Sequence, residues 1–169
     1  MTEFTVRILK PDDVTERYVN WLQDPTISRY SDNQYRSFTY CGQQEYVLSC
    51  MENPNIDLYG IFASTLHIGN ILISGLMCYH KRAEVSYLIG DKNYRNRGAA
   101  TFAVSEIVRK SRSVYCLNKL IAGVADQNIG SKLVLEKNGF FLEGIRKNHL
   151  YYNQSYYSQL DYGLMLNGN

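Results

Sequence analysis

Tyr94-Arg95-Asn96-Arg97-Gly98-Ala99-Ala100-Thr101 is the stretch around which the rest of the chain makes sense. Two arginines lead into a glycine, small residues follow, and an amphipathic run begins. The preceding segment, Glu84-Val85-Ser86-Tyr87-Leu88-Ile89-Gly90, is strand-like. A strand, a basic turn and a helix start together make a place for phosphate. The first amides of a helix lack intrahelical partners and sit at the positive end of its dipole. Gly98, Ala99 and Ala100 let anion oxygens reach the backbone, and Arg95 and Arg97 add charge. By itself the stretch reads equally well as an ordinary basic strand-to-helix turn.

Upstream, Leu58 to Ala63, Ile68 to Met77 and Ala83 to Ile89 read as three consecutive antiparallel strands joined by short turns. Gly69 and Gly75 mark bulges or close backbone approach. Farther upstream, Phe4 to Leu9 alternates as a first strand. The aspartates of Pro11-Asp12-Asp13 can cap a helix, and Val14, Tyr18, Trp21 and Leu22 follow at helical spacing. Asp24-Pro25 stops that helix, and Thr26 to Tyr30 allows one more helical turn. Ser31 to Tyr40 reads as a loop, and Gln43 to Glu52 as a helix with Tyr46, Val47 and Cys50 on one face. Downstream, Phe102, Ala103, Val104, Ile107 and Val108 carry a helix to about Lys110. Leu120 to Val124 is a short strand. Asp126-Gln127-Asn128 opens the next helix, and Asn138-Gly139 ends it with a left-handed cap. Phe140 to Ile145 and Leu160 to Leu166 close the sheet, with Tyr151 to Tyr157 as the loop between them.

This order predicts one α/β domain over residues 1–169, with a mixed central sheet of about seven strands. The unit from Glu84 to Val124 should be a right-handed parallel crossover, which puts a ligand at the carboxyl end of its first strand. The chain has 169 residues, 45% of them hydrophobic, enough for a substantial core. A net charge of +2 implies no broad nucleic-acid footprint. The four cysteines, Cys41, Cys50, Cys78 and Cys116, have no metal-ligand spacing and read as small hydrophobes. Thr2 to Lys10 is too mixed and short for a signal peptide, and no run suffices to span a bilayer. A cytoplasmic protein with reduced thiols, bound to neither membrane nor nucleic acid, is expected. The 15 tyrosines suit a cleft that is partly apolar and partly polar.

The chain resembles the GCN5-related N-acetyltransferases over nearly its whole length. Arg95-Asn96-Arg97-Gly98-Ala99-Ala100 matches that family's pyrophosphate motif, Gln/Arg-x-x-Gly-x-Gly/Ala. Asn128-Ile129-Gly130-Ser131, then Leu135-Glu136-Lys137-Asn138-Gly139-Phe140 and Glu143-Gly144, are similar to its Asn-x-x-Ser helix and Lys-x-Gly-Phe-x-x-Glu-Gly ending. Tyr18-Val19-Asn20-Trp21-Leu22-Gln23-Asp24-Pro25 and Ala83-Glu84 before Tyr87 resemble one branch. That branch holds ribosomal-protein N-terminal, spermidine and bacterial amino-sugar acetyltransferases. The resemblance implies acetyl-CoA as cofactor and strands splayed into a wedge for its pantetheine arm. It gives backbone contacts to Leu88 and Ile89, the pyrophosphate to the amides from Arg97 to Thr101, and a pantetheine contact to Asn128. The implied reaction is direct acetyl transfer to a primary amine, with an amide near Leu88 or Ile89 steadying the oxyanion.

Within that frame Glu84 is the candidate base, on the same strand face as Ser86 and Leu88. An edge carboxylate or a salt bridge would account for it equally simply. Leu135 stands where relatives carry an acidic tyrosine. Ser131 is the substitute, as a hydrogen-bond donor to sulfur or merely a helix residue touching the cofactor. Where relatives often carry an aspartate, Tyr156-Tyr157 stands instead and Asp161 comes later. Arg29, Tyr30, Tyr35 and Arg36 lie in the segment that shapes the acceptor pocket, to stack on a sugar and hold a diphosphate, or simply as loop anchors. His67, His80 and His149 show no partner pattern, and no nucleophilic triad is visible. The favoured acceptor is an amino sugar or a nucleotide amino sugar. The alternatives are a protein N-terminus and a non-catalytic acyl-CoA-binding module. Edge strands near the C-terminus leave a homodimer open.

Overall fold

The computed structural model describes residues 3–167. Thr2, where the N-terminal stretch begins, and both extremes of the one-domain reading lie outside them. Seven strands are β1 (Phe4–Ile8), β2 (Ile56–Ala63), β3 (Leu66–Ser74), β4 (Arg82–Ile89), β5 (Lys119–Ala125), β6 (Phe141–Tyr152) and β7 (Ser155–Met165). Four α-helices are α1 (Glu16–Gln23), α2 (Tyr40–Glu52), α3 (Ala99–Ser113) and α4 (Ile129–Lys137). The strands form one mixed sheet in the order β1-β2-β3-β4-β5-β7-β6. β4 and β5 are the parallel pair, with α3 as their crossover, and the remaining pairs are antiparallel.

Local chemistry explains the boundaries. Thr15, rather than the aspartates, caps α1, its side chain accepting from the Tyr18 amide. Asp13 instead closes a short 3-10 turn and pairs with Arg7. Residues 26–30 form turns rather than a further stretch of helix. Thr39 caps α2 and starts it three residues before the expected Gln43. The buried residues of α2 are Gln43, Val47 and Cys50, while Tyr46 is exposed, because the sheet lies under a face rotated toward Gln43. β3 stops at Ser74 instead of reaching Met77, because Gly75 turns the chain at φ +88°. The bulge in this region falls at Ile61/Phe62. Gly69 is a close approach, since a Cβ there would run into the Leu88 carbonyl. β6 and β7 form a long hairpin turning at Asn153 and Gln154, so the four tyrosines expected in a loop, Tyr151, Tyr152, Tyr156 and Tyr157, all lie within strands.

Apolar residues cover both faces of the sheet. On one, Ala99, Ala103, Val104, Ile107 and Val108 of α3 and Leu135 of α4 meet Ile71, Ile73, Val85 and Leu120. On the other, Tyr18, Trp21 and Leu22 of α1 and Val47 of α2 meet Leu58 and Phe62. Each such aliphatic burial contributes about 1.5–3 kcal/mol before ordering entropy is subtracted. All four cysteines are free, and no helix among the described residues is long and apolar enough to cross a membrane.

Candidate active site

β4 and β5 pair at three positions, Arg82–Lys119, Ala83–Leu120 and Glu84–Ile121, and then part. The opening between them is the wedge. Backbone direction within it follows from the register. The Gly90 amide donates to the Ile68 carbonyl on β3's side. Antiparallel alternation then turns the peptide groups of Ser86 and Leu88 toward β3 and those of Tyr87 and Ile89 toward the wedge. Ile89 therefore turns its backbone into the wedge. Leu88, expected beside it, pairs its backbone with Asn70 across the β3–β4 ladder, and Tyr87 is the other residue whose backbone faces the wedge. The Tyr87 hydroxyl donates to the Ser131 carbonyl of α4 at 3.1 Å, so this side chain bridges the wedge on the helix side. Burial raises its pKa to about 12, so it remains a donor. The β4 alternation that singled out Glu84 also assigns Tyr87 to the α4 side, a signal the sequence reading passed over.

At the carboxyl end of β4, Asp91 caps a 3-10 turn over Lys92–Tyr94. Arg95 Nε donates to the Ile89 carbonyl at 3.3 Å, which folds the loop back on the strand. Gly98 then caps α3 at φ 84° and ψ −2°, with no side chain closing the helix end. A Cβ on Gly98 would meet nothing within 4 Å, so its role is backbone conformation, and the space before α3 is open. The amides of Ala99, Ala100 and Thr101 thus lack a side-chain cap beside the exposed Arg97. This is a donor set for a pyrophosphate. Two contacts steady it. Asn138 Nδ2 donates to the Thr101 carbonyl at 3.2 Å and ties α4 to α3. Trp21 lies against Gly90, where any Cβ would overlap its ring. The Asn128 side chain caps α4 by accepting from the Ser131 amide at 3.2 Å. Asn128 and Ser131 therefore share the α4 turn that faces β4.

The other face of β4 opens into a cleft of about 460 Å³. Its floor is Leu58, Asn70, Leu72, Ser86 and Leu88, and its walls include Tyr18, Gln43, Tyr46, Arg36 and Phe38. Arg36 also borders an adjoining hollow of about 310 Å³ with Gln23 and Gln34. Glu84 is exposed on the Ser86 and Leu88 face, at the last β4–β5 pair and outside the cleft lining. Among the described residues it has no ion-pair partner, which removes the salt-bridge alternative. Leu135 is fully buried in the core and offers no acid.

Of the four residues expected at the acceptor, Arg36 lines the cleft. Arg29, Tyr30 and Tyr35 instead meet each other and the β6–β7 hairpin. Arg29 lies over the Tyr30 ring, Tyr30 packs edge-on against Tyr157, and Tyr35 stacks on Tyr152 and donates to the Tyr151 carbonyl at 2.7 Å. Sequence reading missed Asn70, Gln43 and His67. Tyr18 was visible there as an apolar helix residue but not as a hydroxyl.

Comparison with known proteins agrees with this geometry. The model of the acetyltransferase (GNAT) domain matches residues 3–141. An uncharacterised N-acetyltransferase of Bacillus subtilis, YoaA, is 33% identical over 58% of this chain and 55% of its own length. A putative ribosomal N-acetyltransferase of the same organism, YdaF, is 25% identical over 95% of this chain and 90% of its own. Among solved structures, a ribosomal-protein-S5-alanine acetyltransferase from Vibrio fischeri superposes with a TM-score of 0.87 at 21% identity, covering 99% of this chain and 95% of that one. Spermidine N-acetyltransferase from Vibrio cholerae, solved with CoA and spermine, gives 0.85 at 18% identity, covering 96% and 95%. The wedge, the open α3 terminus and the family match agree, and the chain belongs to the GNAT family as an acetyl-CoA-dependent N-acetyltransferase.

Proposed function

We propose that the acceptor is the primary amine of a small oxygen-bearing molecule, an amino sugar or its nucleotide-linked form. The supporting observation is the charge of the cleft. Arg36 is the charged side chain among its lining residues, and no carboxylate is among them. A polyamine has several ammonium groups, and enclosing them without carboxylates is costly. A sugar phosphate or diphosphate is compensated by Arg36, whose planar fork suits phosphate oxygens.

Bound acetyl-CoA supplies the thioester whose acetyl group passes to the amine. In this reading Glu84, reached through water, takes the proton of the attacking amine. A wedge-facing amide of Tyr87 or Ile89 donates to the developing oxyanion. The Ser131 hydroxyl, on the first turn of α4, is the donor offered to the leaving sulfur. Arg95, Arg97 and the amides of Gly98, Ala99, Ala100 and Thr101 hold the pyrophosphate, and Asn128 the pantetheine arm.

A second reading, acetylation of a protein N-terminus, is favoured by the name of the relative aligned over 95% of the chain. Incubation with acetyl-CoA and a panel of glucosamine, glucosamine 1-phosphate, spermidine and an alanyl peptide, with thiol release followed, separates these readings. Release with the sugars supports the proposal, and preferential release with the peptide supports the second reading. Preferential release with spermidine defeats both. CoA binding without release for any amine leaves only a non-catalytic module.

A further inference from the structure

His67 is 7% exposed behind the acceptor cleft, ringed by Tyr18, Trp21 and Phe62. Its Nε2 lies 2.9 Å from the Gly69 carbonyl and 2.8 Å from Asn70 Oδ1. A carbonyl oxygen can only accept, so Nε2 must carry the proton and donate to both. The oxygen of the Asn70 side chain thereby turns toward His67, and its N–H groups are left to be offered elsewhere. Asn70 shares the cleft lining with Tyr18, and Gln43 Nε2 donates to the Tyr18 hydroxyl at 2.9 Å. The Tyr18 hydroxyl thus already accepts from Gln43. A phenol has a single proton, and no acceptor for it is found among the described residues. Tyr18, Gln43 and Asn70 all line the cleft.

From this donor count we infer that Tyr18 is the specificity-determining hydrogen-bond donor of the acceptor cleft, aimed at an oxygen next to the reacting amine. Gln43 and Asn70 are its positioning residues, and His67 fixes which way Asn70 faces. The ligand class follows from the polarity. A wall of donors suits hydroxyl, ether, carbonyl or phosphate oxygens, whereas the methylenes and ammonium groups of a polyamine have nothing to accept with. The inference rests on the cleft being the acceptor site, as proposed above. It adds that selectivity is set by the orientation of a buried hydrogen-bond chain.

The test is calorimetric binding of glucosamine and of cyclohexylamine, an amine of similar size without oxygens, to the CoA-loaded protein. It is run on the wild type, Tyr18→Phe and His67→Phe, with thermal melting as a check on folding. The wild type should prefer glucosamine. Tyr18→Phe should weaken glucosamine binding roughly tenfold while leaving cyclohexylamine within twofold. His67→Phe frees the Asn70 amide to turn and should reduce the same preference. Absence of a wild-type preference, or its retention in a folded Tyr18→Phe variant, overturns the inference. Failure of acetyl transfer with the binding preference intact would count against the acceptor proposal alone.

Discussion

Glu84 and Ile121 are the last residues at which β4 and β5 pair, so the one carboxylate of β4 sits where the wedge opens. Tyr87, three residues on, turns its peptide group into that opening. The base candidate and the wedge-facing amides therefore lie on one rigid strand, which is how a site on a sheet holds its geometry better than one on a loop.

Glu84→Gln should lower kcat by about 10²-fold, the scale of a positioned general base, and leave CoA affinity unchanged. Steady-state kinetics with calorimetry of CoA binding checks this. An unchanged kcat removes Glu84 from the base role.

Gly98→Ala should weaken CoA binding. At φ 84° a Cβ costs about 1–2 kcal/mol, and the strain is relieved by moving the amides that begin α3. The expected loss is roughly five- to thirtyfold in affinity with little change in melting temperature, because the position is open to solvent. Unchanged affinity would show that the α3 terminus does not hold the pyrophosphate.

Gly90→Ala should destabilise the fold by about 1–3 kcal/mol, as overpacking does, because the new methyl would overlap Trp21. Since Trp21 packs on Gly90, the residue that leads into the loop over residues 91–98, CoA affinity should fall with stability. Denaturant unfolding and CoA titration measure the two together.

Stability should fall at both ends of the pH scale. Burial holds the Tyr87 hydroxyl, and burial with Asp32 nearby the Tyr152 hydroxyl, at about 12 instead of 10. Between those values the unfolded chain loses protons that the folded chain keeps, so stability drops as pH rises from about 10 to 12, by on the order of 2 kcal/mol for Tyr87 and by less for Tyr152, whose group is more open to solvent screening. His67 behaves oppositely. Burial lowers its pKa below 6.5, so the unfolded chain gains a proton first and stability falls as pH drops below that value. Melting temperature against pH, with His67→Phe as the control, checks the acid limb.

The fold was legible because its decisive signals are local. Arg95 to Thr101 is turn chemistry followed by a helix start, and Asn138-Gly139 is a helix stop; both need only near neighbours. The features missed depend on partners far along the chain. Which way the Leu88 backbone faces is set by its pairing with Asn70, and strand alternation alone says only where its side chain points. Tyr18 was correctly read as buried, but its hydroxyl acquires meaning only from Gln43 and Asn70. Tyr30 and Tyr35 looked like ligand platforms because the hairpin they clasp lies more than a hundred residues away. Tyr151 to Tyr157 read as a loop because polar residues interrupt the alternation, whereas the long β6–β7 pairing keeps those tyrosines in strands.

The most direct test of the acceptor assignment is kcat/KM for glucosamine 1-phosphate, glucosamine and spermidine, in the wild type and in Arg36→Ala. The carboxylate-free cleft predicts that the wild type favours the phosphate over the free sugar roughly tenfold, and both over spermidine. In Arg36→Ala the phosphate advantage should disappear while the free sugar keeps its rate. A wild type that acetylates spermidine fastest, or an Arg36→Ala variant that keeps the phosphate advantage, would contradict it.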